Sequence, residues 1–66
     1  MTGGVIRISG GSCFIRAEPR VTARILGVAV KGSELPFGGS VSENGWLMTS
    51  YRSREAWVSG RYGKLS

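Results

Sequence analysis

The sequence predicts an all-β fold, a small antiparallel β-barrel of about six short strands. Short apolar runs with strand-like alternation recur along the chain, glycine-rich turns separate them, and no segment sustains helical periodicity. The chain has 66 residues, so we expect residues 1–66 to form a single domain. A chain this short buries only about 60% of the surface of its unfolded form, and closing the sheet limits the exposed edges that favour aggregation.

The expected strands follow one another closely. They cover residues 5–9, 13–17, 24–30, 33–39, 46–51 and 55–59, and the tail "GRYGKL" offers one turn and a closing strand. The segments "EPRVTA" (18–23) and "GGSVSENG" (38–45) are predicted loops, because polar residues, proline and glycine dominate them. Arg52-Ser53-Arg54 is predicted to be a three-residue hairpin connection between the last two long strands.

The second strand, "CFIRA", directs its side chains to two different environments. Alternation turns Cys13 and Ile15 inward and Phe14 and Arg16 outward. An outward phenyl group needs an explanation. Either a loop covers Phe14, or this ring belongs to a ligand groove.

The two tryptophans raise the same question. In "WLMTSY" the natural core residue is Leu47, which turns Trp46 away from the core; in "EAWVS" it is Val58, which does the same to Trp57. Each indole then lies either in a surface groove or in a second small cluster beneath a loop. We favour the groove for Trp46 and the structural cluster for Trp57.

The inventory of side chains does not favour catalysis. Histidine and aspartate are absent, and the four glutamates lie in or beside predicted turns. Cys13 sits in mid-strand without a nearby base to form its thiolate, so we expect a small core residue. No convergent set of metal ligands is visible, and no cofactor is expected. The composition indicates a binding module and not an enzyme.

The charge favours an anionic partner. Nine Lys and Arg residues against four acidic ones give a formal net charge of +5. Nucleic acid, anionic cell-wall polymers or membrane headgroups would all be attracted, although a solubility role is an equally good explanation. No apolar run is long enough to span a membrane, and the N-terminus "MTGGVIRISGG" has no signal-peptide pattern.

The order of motifs resembles the bacterial Src-homology-3-like (SH3b) domain over roughly residues 5–65. The segments that carry the resemblance are "CFIRAEP", "RILGVAVKG", "ELPF", "NGW" and "AWVSGRY". The matching positions are Ile15, Arg16, Pro19, Ile25, Gly27, Lys31, Gly32, Gly45, Trp46, Trp57, Val58 and Tyr62. The wording "SENGW" and "WVSGRYGKL" is most similar to repeats in phage endolysins and cell-wall hydrolases of Gram-positive bacteria.

Two positions depart from the family pattern. Phe14 replaces an asparagine, which exchanges a hydrogen bond for an apolar contact. Ala56 replaces a glycine before the closing tryptophan, which adds a methyl group where the backbone or a ligand approaches closely. Both departures bear on the usual ligand contacts and not on the fold.

The resemblance implies an SH3-like barrel that attaches a larger protein, such as an endolysin or hydrolase, to the cell wall. The implied ligands are the stem peptides or cross-bridges of peptidoglycan, with anionic wall polymers attracted by charge. The implied location is the cell wall or the outside of the cell. The candidate ligand-binding residues are Phe14, Arg16, Glu18, Arg20, Asn44, Trp46, Tyr51, Trp57 and Tyr62.

Three alternatives stay open. A binder of proline-rich peptides would also use an aromatic groove, but such domains carry an acidic loop and paired tyrosines, whereas "EPRVTA" has one Glu and no ring. A small nucleic-acid-binding barrel is permitted by charge, yet the arginines are scattered over turns and not gathered with aromatic residues on one strand pair. An interaction with another protein, or with a catalytic domain of the same parent chain, would use an apolar face equally well.

Overall fold

The computed structural model describes residues 4–65. Seven β-strands account for most of this part of the chain, and the connections between them are short. Their bounds are β1 Val5–Ile8, β2 Cys13–Arg16, β3 Ile25–Ala29, β4 Glu34–Val41, β5 Leu47–Tyr51, β6 Arg54–Val58 and β7 Gly63–Leu65. The all-β prediction is confirmed, and the seventh strand is the closing strand that the tail offered.

All seven strands form one antiparallel sheet in the order β3-β2-β6-β5-β4-β1-β7. The connections β2–β3, β4–β5 and β5–β6 join strands that are neighbours in the sheet. The first strand lies between β4 and β7, and β2 pairs with β6. No helix long and apolar enough to cross a membrane occurs in residues 4–65.

The sheet curls around one apolar core, which is why the fold is barrel-like. Ala29 on β3 and the isoleucines of β1 belong to the same buried cluster, although their strands lie far apart in the sheet order. Gly63 on β7 lies so close to Ile6 that a Cβ there would be 2.7 Å from the isoleucine methyl group. The buried cluster consists of Ile6, Ile8, Cys13, Ile15, Ala29, Leu47, Ala56 and Val58.

The pairing of β5 with β6 fixes which side chains face outward. Leu47 is opposite Val58, and Met48 is opposite Trp57. Directly opposed residues share a face of the sheet, so the first pair enters the core and the second lies on the outer face. Arg16 on β2 is opposite Trp57 and extends this outer face. The inward placement of Leu47 and Val58 follows the predicted alternation.

The β5–β6 connection is tighter than predicted. Tyr51 pairs with Arg54, which leaves only Arg52 and Ser53 between the strands. Both residues have positive φ values, 52° and 64°. A two-residue hairpin with left-handed central residues matches the twist of the flanking strands, and it forms here without the usual Asn-Gly pair. The predicted three-residue connection is therefore wrong by one residue.

Candidate ligand-binding cleft

A cleft of about 360 Å³ opens on the outer face of the sheet. Three aromatic residues and two arginines form its chemically distinctive part: Phe14, Trp46, Tyr62, Arg16 and Arg61. The volume falls within the usual range for small-ligand sites, about 300 to 1,000 Å³. We call this depression the aromatic cleft.

Smaller side chains complete the lining of the aromatic cleft. They are Ser12, Cys13, Val21, Val28 and Ser59. The lining contains two arginines and no acidic residue, so its electrostatic potential favours a negatively charged group. The hydroxyls of Ser12 and Ser59 add neutral hydrogen-bonding groups.

The loop between β2 and β3, residues 17–24, forms one side of the aromatic cleft. The Ala17 amide donates to the Arg24 carbonyl (2.9 Å) and closes the base of this loop. The Arg16 guanidinium donates from Nη1 to the Ala23 carbonyl (2.9 Å), which holds the loop over the outer face. Val21 is the loop residue that lines the cleft, and its side chain is 71% exposed.

The loop between β4 and β5 delivers Trp46 to the opposite side. The Ser42 hydroxyl accepts a hydrogen bond from the Trp46 amide (2.9 Å), and the Ser42 amide donates to the Trp46 carbonyl (2.8 Å). Gly45, with a φ of 86°, makes the tight return that these bonds require. Trp46 is only 8% exposed and presents a limited area of its indole to the cleft.

A turn over residues 59–62 positions Tyr62. The amides of Tyr62 and Gly63 both donate to the Ser59 carbonyl, at 3.2 and 3.1 Å. The Tyr62 carbonyl in turn accepts from the Ser9 and Gly10 amides. The turn also presses against the β4–β5 loop, because Gly60 lies so close to the Gly45 carbonyl that a Cβ could not fit there.

Phe14 and Arg16 form a pair on the outer face of β2. The phenyl ring is 48% exposed, so no loop covers it, and the guanidinium carbon of Arg16 lies 5.3 Å from the ring centroid. A cation at this distance is attracted to the ring face and is held in one orientation. Phe14 thus belongs to the cleft, the second of the two placements considered for an outward phenyl.

Cys13 lies in the wall of the aromatic cleft and is buried. Burial raises the pKa of its thiol above the ordinary value. The group is therefore a neutral thiol at physiological pH, with the reactivity of a small apolar residue.

Three predicted residues lie beside the aromatic cleft and not in its lining. Glu18 and Arg20 form an exposed ion pair with one another. Asn44 donates from Nδ2 to the Pro19 carbonyl (2.9 Å) and accepts from the Ser42 hydroxyl. The Asn44 bond joins the two loops that flank the cleft and so helps to shape it, whereas the Glu18–Arg20 pair lies within the 17–24 loop.

Tyr51 and Trp57 lie away from the cleft lining. Tyr51 is at the far end of β5, packed against the core and against Gly27 on β3. Trp57 is 9% exposed, and its indole Nε1 donates to the Glu55 carboxylate at 3.1 Å. The preferred structural placement of Trp57 agrees with this burial. Neither tryptophan belongs to the main buried cluster, although both are buried.

Six lining residues are not among the residues predicted to bind a ligand: Ser12, Cys13, Val21, Val28, Ser59 and Arg61. Val28 is the cross-strand partner of Phe14, a register that the sequence alone does not fix. Arg61 directly precedes Tyr62, and this adjacency to a predicted ligand-binding residue is the only feature of the sequence that points to Arg61. Val21 lies in a loop without any periodic pattern.

The lining of the aromatic cleft combines apolar, cationic and hydroxyl groups and contains no cluster of metal-binding side chains. Within residues 4–65, no group of three or more His, Cys, Asp or Glu side chains comes together. Comparison of the chain with models of protein families, with curated proteins and with solved structures returned no match.

Proposed function

We propose that this chain is a non-catalytic binding module that holds a short cell-wall peptide in the aromatic cleft. The observation that carries the proposal is the combination of three rings with two arginines and no carboxylate around one cleft. Such a site suits a ligand with both apolar surface and a negative charge. The stem peptides of peptidoglycan, which carry aliphatic side chains and free carboxylates, have this character.

The chemistry of the lining supports a peptide ligand. Flat aromatic walls gain from covering aliphatic side chains and peptide planes, and tyrosine and tryptophan add polar handles at their edges. Arg61 and Arg16 carry planar guanidinium forks that match carboxylate oxygens in pairs. Arg16 keeps further N–H donors beyond the one it gives to Ala23.

The resemblance to bacterial SH3-like domains is the reason for proposing that the ligand belongs to the cell wall. Trp46 and Tyr62, two of the positions that carry that resemblance, lie on the same cleft. The module would direct a larger protein, such as a wall hydrolase or endolysin, to its substrate outside the cell. The net charge of +5 adds a salt-sensitive attraction to anionic wall polymers.

The test uses Phe14→Ala, since this exposed ring can be removed at little cost to the core. Leu65→Ala is the matched control, because Leu65 is also half exposed but lies outside the cleft. Binding of soluble stem peptides and bridge peptides is followed by the change in indole fluorescence, to which Trp46 at the cleft contributes. Retention on intact Gram-positive walls is measured in parallel at low and high salt.

We expect Phe14→Ala to weaken peptide binding about tenfold and Leu65→Ala to leave it unchanged. On intact walls, we expect the parent chain to be retained at high salt and Phe14→Ala to be retained less. Retention lost in salt and equal in both variants would reduce the interaction to bulk charge. Failure of every peptide and of walls from several species would refute the proposal.

A second candidate function is a contact with another protein or with a domain of the same parent protein. The exposure of Val21 (71%), Val28 (54%) and Phe14 (48%) along one side of the cleft favours it, since a protein partner would cover these side chains together. Loss of wall retention with preserved binding to the separately produced catalytic region of the parent protein would select this function.

A further inference from the structure

Three arginines surround a second depression, of about 220 Å³, at the end of the sheet that carries the β5–β6 turn. We call it the basic depression, and its lining consists of Arg24, Ile25, Leu26, Tyr51, Arg52 and Arg54. It shares no lining residue with the aromatic cleft. Arginines that are scattered in the sequence are thus gathered in space.

The fold fixes where two of these arginines stand. Tyr51 and Arg54 are directly opposed across the hairpin, so they share a face of the sheet. The guanidinium carbon of Arg52 lies 5.4 Å from the Tyr51 ring centroid, within range of a cation–π interaction. Stacking on the ring restricts Arg52 before any ligand arrives.

In the described part of the chain, residues 4–65, no carboxylate forms an ion pair with any of the three arginines. The ion pairs formed within residues 4–65 are Arg7–Glu34 and Arg20–Glu18, which lie elsewhere. Glu55 follows Arg54 in sequence but turns to the other face of the sheet, where it accepts from the Trp57 indole. Like charges around one depression repel one another, and a bound anion would relieve that repulsion.

We propose that the basic depression binds the phosphodiester groups of a linear polyol-phosphate chain. Guanidinium groups match phosphate oxygens bidentately, and several of them together suit a repeating anion better than a single carboxylate. This inference concerns a different part of the surface from the aromatic cleft. It stands or fails independently of what the cleft binds.

The Tyr51 ring is already in contact with Gly27 and Arg52, which favours a polymer that has no nucleobases to stack on it. Tyr51 packs against the core with its phenol on Gly27, and Arg52 lies over its ring. Single-stranded nucleic acids depend on exposed rings on which bases stack. The basic depression offers charge without a free ring face, which matches a polyol phosphate better than a single-stranded nucleic acid.

The experiment titrates the full chain with a glycerol-phosphate oligomer, followed by amide chemical shifts at physiological ionic strength. Arg52→Gln/Arg54→Gln removes two charges from the basic depression, and Arg24→Gln tests it without altering the hairpin. The control Lys31→Gln/Lys64→Gln removes the same net charge at exposed positions elsewhere. An oligothymidylate with the same number of phosphates tests the nucleic-acid alternative.

We expect shifts at the amides of Arg24, Tyr51, Arg52 and Arg54, and an affinity reduced about tenfold in the double arginine variant. Arg24→Gln should also weaken binding, and the lysine control should stay within about twofold of the parent chain. Equal losses in the arginine and lysine variants would overturn the proposal in favour of bulk charge. Tighter binding of oligothymidylate at the same amides would overturn it in favour of a nucleic acid.

Discussion

The Asn44 side chain donates a hydrogen bond of 2.9 Å to the Pro19 carbonyl, and this bond ties together the two loops that flank the aromatic cleft. The two residues are far apart in the sequence and belong to different loops. The bond is exposed, so its contribution to global stability is small. Its main effect is to fix the distance between the two sides of the cleft.

Replacing Asn44 by alanine should loosen the 17–24 loop while leaving the sheet intact. We expect a stability loss of about 0.5 to 1 kcal/mol and faster hydrogen exchange at the Arg20 and Ala23 amides, whose bonds lie within that loop. Affinity for the cleft ligand should fall about three- to tenfold. The exposed neighbour Glu43 provides the control variant Glu43→Ala, and equal exchange rates in both variants would contradict this role of Asn44.

The backbone of Gly27 on β3 lies directly against the Tyr51 ring. A Cβ at Gly27 would lie 2.5 Å from the Tyr51 hydroxyl oxygen and 2.6 Å from Cζ. Gly27 is not among the glycines with positive φ, so Gly27→Ala is penalised by the ring and not by the backbone. We expect a loss of about 1 to 3 kcal/mol, measured by urea unfolding.

A double-mutant cycle isolates the steric cause. In the background Tyr51→Leu, which removes the hydroxyl, Cζ and Cε2 atoms nearest to Gly27, Gly27→Ala should cost at least about 1 kcal/mol less than in the parent chain. Strictly additive losses would show that the penalty at Gly27 has another origin.

The β5–β6 turn stores an unfavourable backbone conformation at Ser53, whose φ is 64°. A left-handed conformation costs a non-glycine residue about 1 to 2 kcal/mol, while glycine adds flexibility to the unfolded chain. Ser53→Gly should therefore raise the free energy of unfolding by about 0.5 to 1 kcal/mol. Ser50→Gly, at an exposed position of β5 with ordinary φ, should lower it, and stabilisation by both substitutions would refute the explanation.

The buried thiol of Cys13 makes stability fall at alkaline pH. Burial raises its pKa in the folded chain, whereas the unfolded chain ionises near the ordinary value of 9.0. The unfolded state then loses its proton first, so the stabilising contribution is complete below about pH 9 and disappears as the pH rises through the folded-state pKa. Urea unfolding from about pH 7 to about pH 10 should show a steeper decline for the parent chain than for Cys13→Ala. Parallel curves for the two proteins would contradict this assignment.

Local alternation accounts for much of what the sequence predicts. Phe14 is exposed and Ile15 is buried as the period of two requires, and Leu47 and Val58 enter the core. The same rule turns Trp46 and Trp57 away from the main cluster but does not reveal that both are buried. Burial on the outer face depends on packing between segments far apart in the chain, which no local pattern encodes.

The two candidate sites also depend on packing between distant segments, which the sequence does not predict. Phe14, Arg16, Trp46 and Tyr62 line one cleft, which rests on contacts among β2, the β4–β5 loop and the final turn. The sequence does not reveal the basic depression, because Arg24 is distant from the other two arginines along the chain and the predicted three-residue connection places Arg54 in the turn, not opposite Tyr51. A one-residue difference in a hairpin changes which side chains share a face, and Arg54 shares its face with Tyr51 only in the tighter turn.

The aromatic cleft has a backbone frame, in which Gly45 and Gly60 are in close contact, and a rim of exposed side chains. Backbone packing holds the frame, whereas the rim consists of exposed side chains such as Val21 and Val28 that contribute nothing to the buried cluster. Substitutions at the rim therefore leave folding nearly unchanged. The specificity of the cleft can therefore be altered at Val21 and Val28 without disturbing the fold, whereas a side chain at Gly60 would displace the Gly45 backbone that positions Trp46.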